Sequence, residues 1–254
     1  MNTETYLFVS MTIAPMLTPV LAYLIGGIPF AYIIVRRVTG TDITVHGTGN
    51  VGAMNVRRAT GSWTWFVVAM VADALKGLIP VLAAKLAVSG LPLDALSALS
   101  PWTHRIETLH IAGISTTGPW ISTAAFWVPM LAVAGTVIGH NYSLWMAVIH
   151  GRFARTGKGL ATGGGALLAY DWRYFLAALI VGLAVIGLTR YMMAGQVAAA
   201  AALPAAAILL GSADWPFALF MGLVVYAAHH RRFVGLLRGQ EPRLYVNDAM
   251  GPRG

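Results

Sequence analysis

Long apolar runs, separated by short basic segments, restrict the fold of this sequence more than any other feature. A membrane-spanning helix needs about 20 mostly apolar residues. Only 10% of the 254 residues are charged, whereas soluble domains carry roughly 25%. We therefore predict an all-α integral membrane protein with about seven transmembrane helices, forming a single polytopic domain over residues 1–254. The predicted spans cover 11–35, 62–88, 120–139, 160–171, 173–190, 194–211 and 214–229.

Two of these runs need a further comment. The fourth, "LATGGGALLAY", is short enough to form a half-helix or a re-entrant segment instead of a full span. The first follows "MNTETYLF", which has no basic region ahead of the apolar residues, so we expect the first run to be retained as a helix.

The basic residues predict the orientation of the helices. They cluster after the first, third, fifth and seventh runs, so a seven-helix arrangement puts all the clusters on one side of the membrane. The positive-inside rule makes that side cytoplasmic. The N-terminus is then outside, residues 89–119 form an outer insertion with a short amphipathic helix, and 230–254 form a cytoplasmic tail. The clusters contain Arg36, Arg37, Arg57 and Arg58; Arg152, Arg155 and Lys158; Arg190; and Arg231, Arg232, Arg238 and Arg243.

Composition and motif searches exclude several other classes of protein. The chain has no cysteine, so neither a disulfide framework nor a catalytic thiolate is available. Its net charge of +8 is spread between the apolar runs and not along one polar face, so we expect no nucleic-acid partner. The sequence also lacks H-E-x-x-H, G-x-S-x-G and the H-x-x-x-x-D spelling of soluble acyltransferases, so any acyl transfer would lack an obvious carboxylate–histidine base.

A glycine motif, "HGTGNVGAMNVRR" at 46–58, lies between the first two apolar runs. Its G-x-G-x-x-G spelling occurs in dinucleotide-binding folds, but such folds need a preceding strand, and here an apolar run precedes it. Glycines let backbone N–H groups approach a ligand closely, and N–H groups at the start of a helix favour a phosphate. Thr48, Asn50 and Asn55 add neutral donors, and Arg57 and Arg58 add positive charge. The alternative is an ordinary loop whose arginines only set the orientation.

A second motif, "VADALKGLIP", places Asp73 and Lys76 three residues apart inside an apolar run, and hence on one face of a helix. Charged residues inside a span usually face a cavity or a partner. We therefore expect Lys76 to act as a point charge for a phosphate. The alternative is a self-neutralising ion pair between Asp73 and Lys76.

A third motif covers 139–165 and reads "GHNYSLWMAVIHGRFARTGKGLATGGG". His140 is followed by Asn141, Ser143 and a basic glycine turn around Lys158. The turn is not a nucleotide P-loop, because Arg152 stands where that motif requires glycine and Gly159 follows the lysine. We expect these residues to converge on an anion site. A histidine that only caps a helix end is the alternative.

Taken in order, "GTGNVGAMNVRR", "DALKG", "GHNYS…TGKGLATGGG" and the tail "HHRRFVGLLRGQEPRL" resemble the bacterial acyl-phosphate:glycerol-3-phosphate acyltransferase family, PlsY, over about residues 12–245. The resemblance implies a seven-helix enzyme of the bacterial inner membrane with its active site facing the cytoplasm. It implies transfer of an acyl chain from acyl phosphate to the 1-hydroxyl of glycerol 3-phosphate, with lysophosphatidic acid and phosphate as products in phospholipid biosynthesis. It also implies that acyl-CoA, metal ions and cofactors are not used.

The resemblance also implies roles for individual residues. Substrate phosphates are expected on the glycine loop, on two basic side chains and on the glycine–lysine turn, and the reacting centre is expected beside a hydroxyl, a histidine and a serine. The phosphate-binding set is Gly49, Asn50, Gly52, Asn55, Arg58, Lys76, Gly157, Lys158 and Gly159; the catalytic set is Thr48, His140 and Ser143.

The sequence departs from the family pattern at several positions. Thr48 replaces the usual serine and keeps its hydroxyl, whereas Met54 replaces a threonine and removes a donor. The third motif is longer than usual between His140 and Lys158, and Arg232 stands where the tail commonly has asparagine. Two questions stay open from the sequence: whether His140 is a general base or a binding residue, and whether the chain is instead a membrane transporter of an organic phosphate.

Overall fold

The computed structural model describes residues 13–89, 110–111, 114–115 and 119–241, and these are mainly helical. A 3₁₀ turn, Ile43–Val45, precedes the glycine loop, and two short antiparallel strands, β1 (His110–Ile111) and β2 (Ile114–Ser115), pair with each other. The helices are α1 (Ala14–Gly26), α2 (Phe30–Thr39), α3 (Ala53–Thr60), α4 (Trp63–Ser89), α5 (Pro119–Asn141), α6 (Leu144–His150), α7 (Leu160–Tyr170), α8 (Trp172–Thr189), α9 (Met192–Leu209) and α10 (Trp215–Leu237).

Every apolar run predicted from the sequence contains a helix, which agrees with the predicted all-α class. Within the described residues, helices long and apolar enough to cross a membrane cover Met16–Thr39, Trp63–Ala87, Trp172–Thr189 and Met192–Leu209. Leu160–Tyr170 and Trp215–Ala227 are apolar but shorter. The number of spans and the sides on which the termini lie stay predictions.

The first run is two helices and not one. α1 ends at Gly26 and α2 begins at Phe30, because Pro29 has no backbone N–H and disfavours helical geometry at the residue before it. The break releases carbonyl groups that other side chains use. Trp145 Nε1 donates to Leu24 O (2.8 Å), Ser143 Oγ to Gly27 O (2.6 Å) and Lys76 Nζ to Ile28 O (2.7 Å).

Three other segments differ from the sequence prediction. The predicted loops contain the short helices α3 and α6, and α10 continues to Leu237, past the predicted end at 229. The prediction followed apolar runs, which mark the lipid-facing part of a helix. A helix is held by backbone hydrogen bonds, so it can also form in, or continue into, polar sequence. The fourth run forms an 11-residue α-helix, α7. The predicted outer amphipathic helix in 89–119 lies outside the described residues, apart from Ser89, β1, β2 and Pro119.

The chain forms two compact units, 1–170 and 171–254. In the first unit, glycines bring helix backbones together: a Cβ on Gly26 of α1 would overlap Thr136 of α5, and a Cβ on Gly165 of α7 would overlap the carbonyl of Ala74 in α4. In the second unit, Gly195 of α9 lies against the carbonyl of Gly182 in α8. Small residues let membrane helices approach in this way.

Candidate functional site

The glycine loop is held at both ends by side-chain hydrogen bonds. At its start, Asp42 accepts hydrogen bonds from the backbone N–H (2.8 Å) and the hydroxyl (2.7 Å) of Thr44, which caps the 3₁₀ turn. From α3, the buried Asn55 donates to the carbonyls of Ile43 (3.0 Å) and His46 (2.9 Å). Asn55 therefore holds the loop in place through its side-chain amide group.

Backbone conformation explains two of the glycines in this loop. Gly47 and Gly49 have φ of +51° and +70°, a left-handed region that favours glycine. A Cβ on Gly47 would also lie 2.5 Å from Oδ1 of Asn55 and 2.8 Å from Cδ of Arg58. The Arg58 side chain therefore runs beside the loop, whereas Thr48 at the tip of the loop is exposed.

The loop leads directly into the N-terminus of α3. Gly52 is the last extended residue, and α3 runs from Ala53 to Thr60. The free N–H groups and the partial positive charge of a helix N-terminus attract anions. Asn50, which is partly exposed, accepts a hydrogen bond on its carbonyl from Gly52 N (3.1 Å). Arg57, one turn on, stacks over the ring of Trp63 at 3.9 Å from the centroid.

A single threonine joins the glycine loop to the third motif. Val51 N donates to Thr156 O (2.8 Å), and Thr156 N donates to Asn141 O (2.8 Å). The Thr156 hydroxyl donates to His140 O (2.8 Å). The glycine loop, the end of α5 and the turn before Lys158 are therefore one hydrogen-bonded structure.

A buried polar cluster lies where α4, α5 and α7 meet. Asp73 Oδ1 is 2.8 Å from Lys76 Nζ and 3.9 Å from His140 Nδ1. His140 Nδ1 is also 3.1 Å from the hydroxyl of Thr162. The ion pair that the sequence allowed therefore forms, and Lys76 makes a further bond to Ile28 O. The assignment of Lys76 to a substrate phosphate stays a prediction.

The imidazole of His140 lies against the backbone of the glycine–lysine turn. A Cβ on Gly157 would overlap the ring, with Nε2 the nearest atom, so only glycine leaves room for His140 there. Gly159, with φ of +73°, lies next to the side chain of Asn141. Lys158 is partly buried between these two glycines. His140 is thus placed by Asp73 and Thr162 on one side and by the turn on the other.

Ser143 is buried and has a structural position beside this cluster. Its Oγ donates to Gly27 O (2.6 Å) and accepts from Met146 N (3.2 Å), which caps α6. Ser143 N lies 3.4 Å from the hydroxyl of Thr156. Ser143 therefore connects the α1–α2 break to the third motif.

The structure brings most of the predicted site residues into one region of the first unit. His140, Ser143, Gly157, Gly159 and Lys76 belong to the buried part, and the glycine loop is joined to them through Val51 and Thr156. Sequence signals are weak for the residues that make these links. Asp42 precedes a turn as capping residues do, but nothing in the sequence singles out Thr162 or predicts that Thr156 joins the two motifs. The described part of the chain contains no group of three His, Asp or Glu side chains that would hold a metal ion.

In the second unit, the tail motif differs from its usual form. Arg232, which stands where asparagine is common, makes a two-point hydrogen bond to Glu241, with Nε–Oε1 at 2.8 Å and Nη2–Oε2 at 2.5 Å. The bond connects α10 to the residues that follow it. An arginine at this position is therefore matched by an acidic partner.

Comparison with known proteins identifies relatives over nearly the whole chain. Residues 16–239 match the family model described as glycerol-3-phosphate acyltransferase. A glycerol-3-phosphate acyltransferase of Thermus thermophilus is 35% identical over 229 residues, which are 89% of this chain and 94% of that protein. The one of Desulforudis audaxviator is 32% identical over 227 residues, 88% of this chain and 92% of that protein.

Solved structures give the same result. The crystal structure of PlsY, an integral membrane glycerol 3-phosphate acyltransferase, in its glycerol 3-phosphate form has a TM-score of 0.68 and 25% identity, and the match covers 94% of this chain and 99% of that one. The lysophosphatidic acid form of PlsY has a TM-score of 0.66 and 26% identity, and covers 91% of this chain and 95% of that one.

These matches confirm the predicted membership, the predicted all-α membrane architecture and the predicted class of enzyme, and they give no support to a transporter. The motifs read from the sequence are distributed over the region that the family model covers. The chain therefore belongs to the glycerol-3-phosphate acyltransferase family, the integral membrane acyltransferases of bacterial phospholipid biosynthesis.

Proposed function

We propose that this protein transfers an acyl chain from acyl phosphate to the 1-hydroxyl of glycerol 3-phosphate. The hydroxyl oxygen bonds to the acyl carbonyl carbon, the bond from that carbon to the phosphate oxygen breaks, and the departing phosphate takes the hydroxyl proton. The products are lysophosphatidic acid and inorganic phosphate. The observation that carries the proposal is the hydrogen bond from Val51 N to Thr156 O (2.8 Å), which holds two glycine-rich, basic segments together. Two phosphorylated substrates need two such segments.

The chemistry required of the protein is mainly positioning and electrostatics. Acyl phosphate is already activated, so the barrier falls when the two substrates are held in line and their charges are offset. Arg58, Lys158 and the N–H groups at the start of α3 supply that offset. Attack also builds negative charge on the carbonyl oxygen, and each donor aimed at such an oxyanion is worth about 3 kcal/mol in well-studied enzymes.

We assign His140 to positioning in this scheme. The residue is only 7% exposed, and its ring is enclosed by Asp73, Thr162 and Gly157. A ring held in this way keeps the glycine–lysine turn in place. Thr48 then lines the reacting centre with its hydroxyl from the exposed tip of the loop. Ser143, whose Oγ is bonded to Gly27 O and Met146 N, supports the centre from the cap of α6.

We further propose that this site faces the cytoplasm at the inner membrane. The basic residues Arg57 and Arg58 flank the glycine loop, and Arg152 and Arg155 precede the third-motif turn. The hydrogen bond between Val51 and Thr156 holds these two segments together, which supports placing both basic clusters on the same side of the membrane. The positive-inside rule makes such a face cytoplasmic.

The reaction is tested with purified protein in lipid bilayers. Palmitoyl phosphate and glycerol 3-phosphate are added, phosphate release is followed, and the lipid is identified by mass spectrometry; palmitoyl-CoA replaces the donor in a parallel sample. We expect lysophosphatidic acid with acyl phosphate and none with the CoA ester. Product from the CoA ester alone, or from neither donor, would overturn the proposed donor.

The orientation is tested by cysteine labelling, because the natural chain has no cysteine. Phe153→Cys, in the exposed third-motif turn, and Leu210→Cys, between α9 and α10, are treated with a membrane-impermeant maleimide. In intact spheroplasts we expect labelling of Leu210→Cys only, and in inverted vesicles of Phe153→Cys only. The reverse pattern would place the site on the outside.

A further inference from the structure

Asn141 has a buried hydrogen-bond acceptor for which the described residues supply no donor. The residue ends α5, directly after His140, and is only 4% exposed, yet its Oδ1 has no hydrogen-bond partner in the part of the chain that the structure describes. Native proteins pair nearly all buried polar atoms, so each exception needs an explanation. A bound ligand that donates a hydrogen bond is one such explanation.

The position of this acceptor is fixed by the surrounding backbone. The Asn141 carbonyl accepts hydrogen bonds from the Thr156 N–H (2.8 Å) and from the Thr156 hydroxyl (3.2 Å). The side chain points toward Gly159, where a Cβ would lie 3.2 Å from Oδ1. Gly159 has φ of +73° and carries no side chain, so the backbone of the turn that also holds Lys158 comes close to the Asn141 amide.

Another asparagine of the site shows the contrast. Asn55 also has a buried Oδ1 without a partner, but its Nδ2 donates to Ile43 O and His46 O, which gives its side chain a structural task. Asn141 is held through its backbone, and its amide oxygen is directed at the glycine–lysine turn. Asn141 is therefore the better candidate for a ligand contact.

The chemistry of an amide oxygen defines the group that it would bind. It accepts a hydrogen bond and cannot donate one, so it binds a hydroxyl and repels phosphate oxygens and ketones. It is not basic, so it suits a hydroxyl that keeps its proton during the reaction. In glycerol 3-phosphate the 1-hydroxyl loses its proton on acyl transfer, and the 2-hydroxyl does not.

We propose that Oδ1 of Asn141 accepts a hydrogen bond from the 2-hydroxyl of glycerol 3-phosphate and so selects this acceptor over alkyl phosphates that lack that group. The inference rests on the proposed function, because it assigns a residue to the part of the same site that binds glycerol 3-phosphate. Asn141 acts on specificity in this scheme and takes no part in proton transfer.

The test compares two acyl acceptors, each supplied with the same acyl donor. kcat/KM is measured with palmitoyl phosphate for glycerol 3-phosphate and for 1,3-propanediol monophosphate, which has the reacting hydroxyl but no 2-hydroxyl. A buried acceptor left unpaired changes an equilibrium by about 5- to 150-fold. We expect the natural enzyme to prefer glycerol 3-phosphate by at least about 10-fold within that range.

Substitutions then assign the preference to Asn141. In Asn141→Ala we expect kcat/KM to fall for glycerol 3-phosphate and not for the diol phosphate, so that the preference is lost. Asn141→Asp keeps an acceptor oxygen and should keep the preference, although its charge weakens the binding of both phosphates. Gln196→Ala is the matched control, since Gln196 in α9 of the second unit also has a buried amide oxygen without a partner; its preference should be unchanged.

The outcomes separate the two proposals. An enzyme that makes no lysophosphatidic acid from either acceptor overturns the proposed function, and this inference with it. An active natural enzyme that uses both acceptors equally overturns the inference alone. The inference alone is also overturned if Asn141→Ala lowers kcat/KM equally for both acyl acceptors, because Asn141 then supports the fold and not the choice of substrate.

Discussion

The Asp42 carboxylate lies 2.8 Å from Nε2 of His150, and so joins the start of the glycine loop to the end of α6. The carboxylate can only accept, so Nε2 of His150 carries the proton. The His150 ring also meets Tyr32 of α2 edge to face, at 6.1 Å between centroids. His150 lies between His140 and Lys158, within the third motif. The contact therefore fastens the third motif to the glycine loop at a further point.

Breaking this contact should weaken the binding of glycerol 3-phosphate more than it slows turnover. The side chains are 26% and 28% exposed, so the pair is worth on the order of 1 kcal/mol. We expect His150→Leu and Asp42→Asn each to raise KM about fivefold, with kcat nearly unchanged. Asp42→Asn keeps an oxygen that caps the 3₁₀ turn, so it isolates the link to His150. In the double variant the two effects should not add; additive effects would show that the contact has no role.

The Asp42 carboxyl also makes the stability of this loop depend on pH. Burial by itself raises the pKa of Asp42, but hydrogen bonds from His150 and Thr44 outweigh it and hold the pKa below the ordinary value of 3.8. A carboxylate with a lowered pKa stabilises the fold above its unfolded-state pKa, and this contribution is lost as the pH falls through the folded-state pKa. The apparent melting temperature of the natural protein should therefore exceed that of Asp42→Asn by a constant amount above about pH 5. Below pH 3.8 the difference should shrink toward zero; a difference that grows there would contradict the assignment.

Two glycines of "TGGG", Gly163 and Gly165, should differ in their tolerance of alanine. A Cβ at Gly165 would overlap the carbonyl of Ala74 in α4, whereas a Cβ at Gly163 would lie 3.8 Å from Cγ2 of Val137, an ordinary contact. Overpacking costs about 1–3 kcal/mol, so Gly165→Ala should lower the melting temperature in detergent. Gly163→Ala is the matched control and should be neutral or stabilising, because alanine is favoured over glycine in helices by up to about 1 kcal/mol. Equal melting temperatures would mean that α4 and α7 do not approach as closely as described.

Lys76 needs a test that separates folding from phosphate binding. Lys76→Met leaves the buried Asp73 without its 2.8 Å partner, and breaking a buried ion pair costs about 3–5 kcal/mol. Loss of activity in that variant is therefore ambiguous. In Asp73→Asn with Lys76→Met, the stability should largely return. We expect activity to stay low in the double variant, with a raised KM for glycerol 3-phosphate. Natural KM and kcat in a folded double variant would exclude Lys76 from the phosphate site.

Turnover of a His140 variant decides between a base and a positioning residue. General acid–base catalysis contributes about 10²- to 10⁴-fold. If the departing phosphate takes the proton, His140→Gln should retain kcat within about tenfold, because glutamine still fills the space beside Gly157. A loss of about 100-fold or more in a folded variant would instead assign the base to His140. Gly187→Ala, which adds a methyl group in open space on α8, controls for the effect of substitution in a helix.

Much of the fold could be read from the sequence because hydrophobicity is local information. The predicted runs 62–88, 120–139 and 173–190 match α4, α5 and α8 to within two residues at each end. The break at Gly27–Pro29 was present in the sequence as a glycine and a proline, but it lay inside a continuous apolar run that hid it. The extension of α10 through Leu237 was not predicted, because the apolar run stops at 229 where polar residues begin. The helix itself continues through those polar residues.

The motifs themselves were also local, and their glycines, lysines and histidine were identified without a structure. The sequence by itself determined the membrane class, the family and the residue types at the site, because these depend on runs and spacings along the chain. Only the tertiary structure decided which atoms meet. It paired Lys76 with Asp73, set His140 against Gly157, and left the amide oxygen of Asn141 buried without a donor. Such contacts join residues far apart in the chain, and their geometry follows from how closely the helices pack, which no local pattern records.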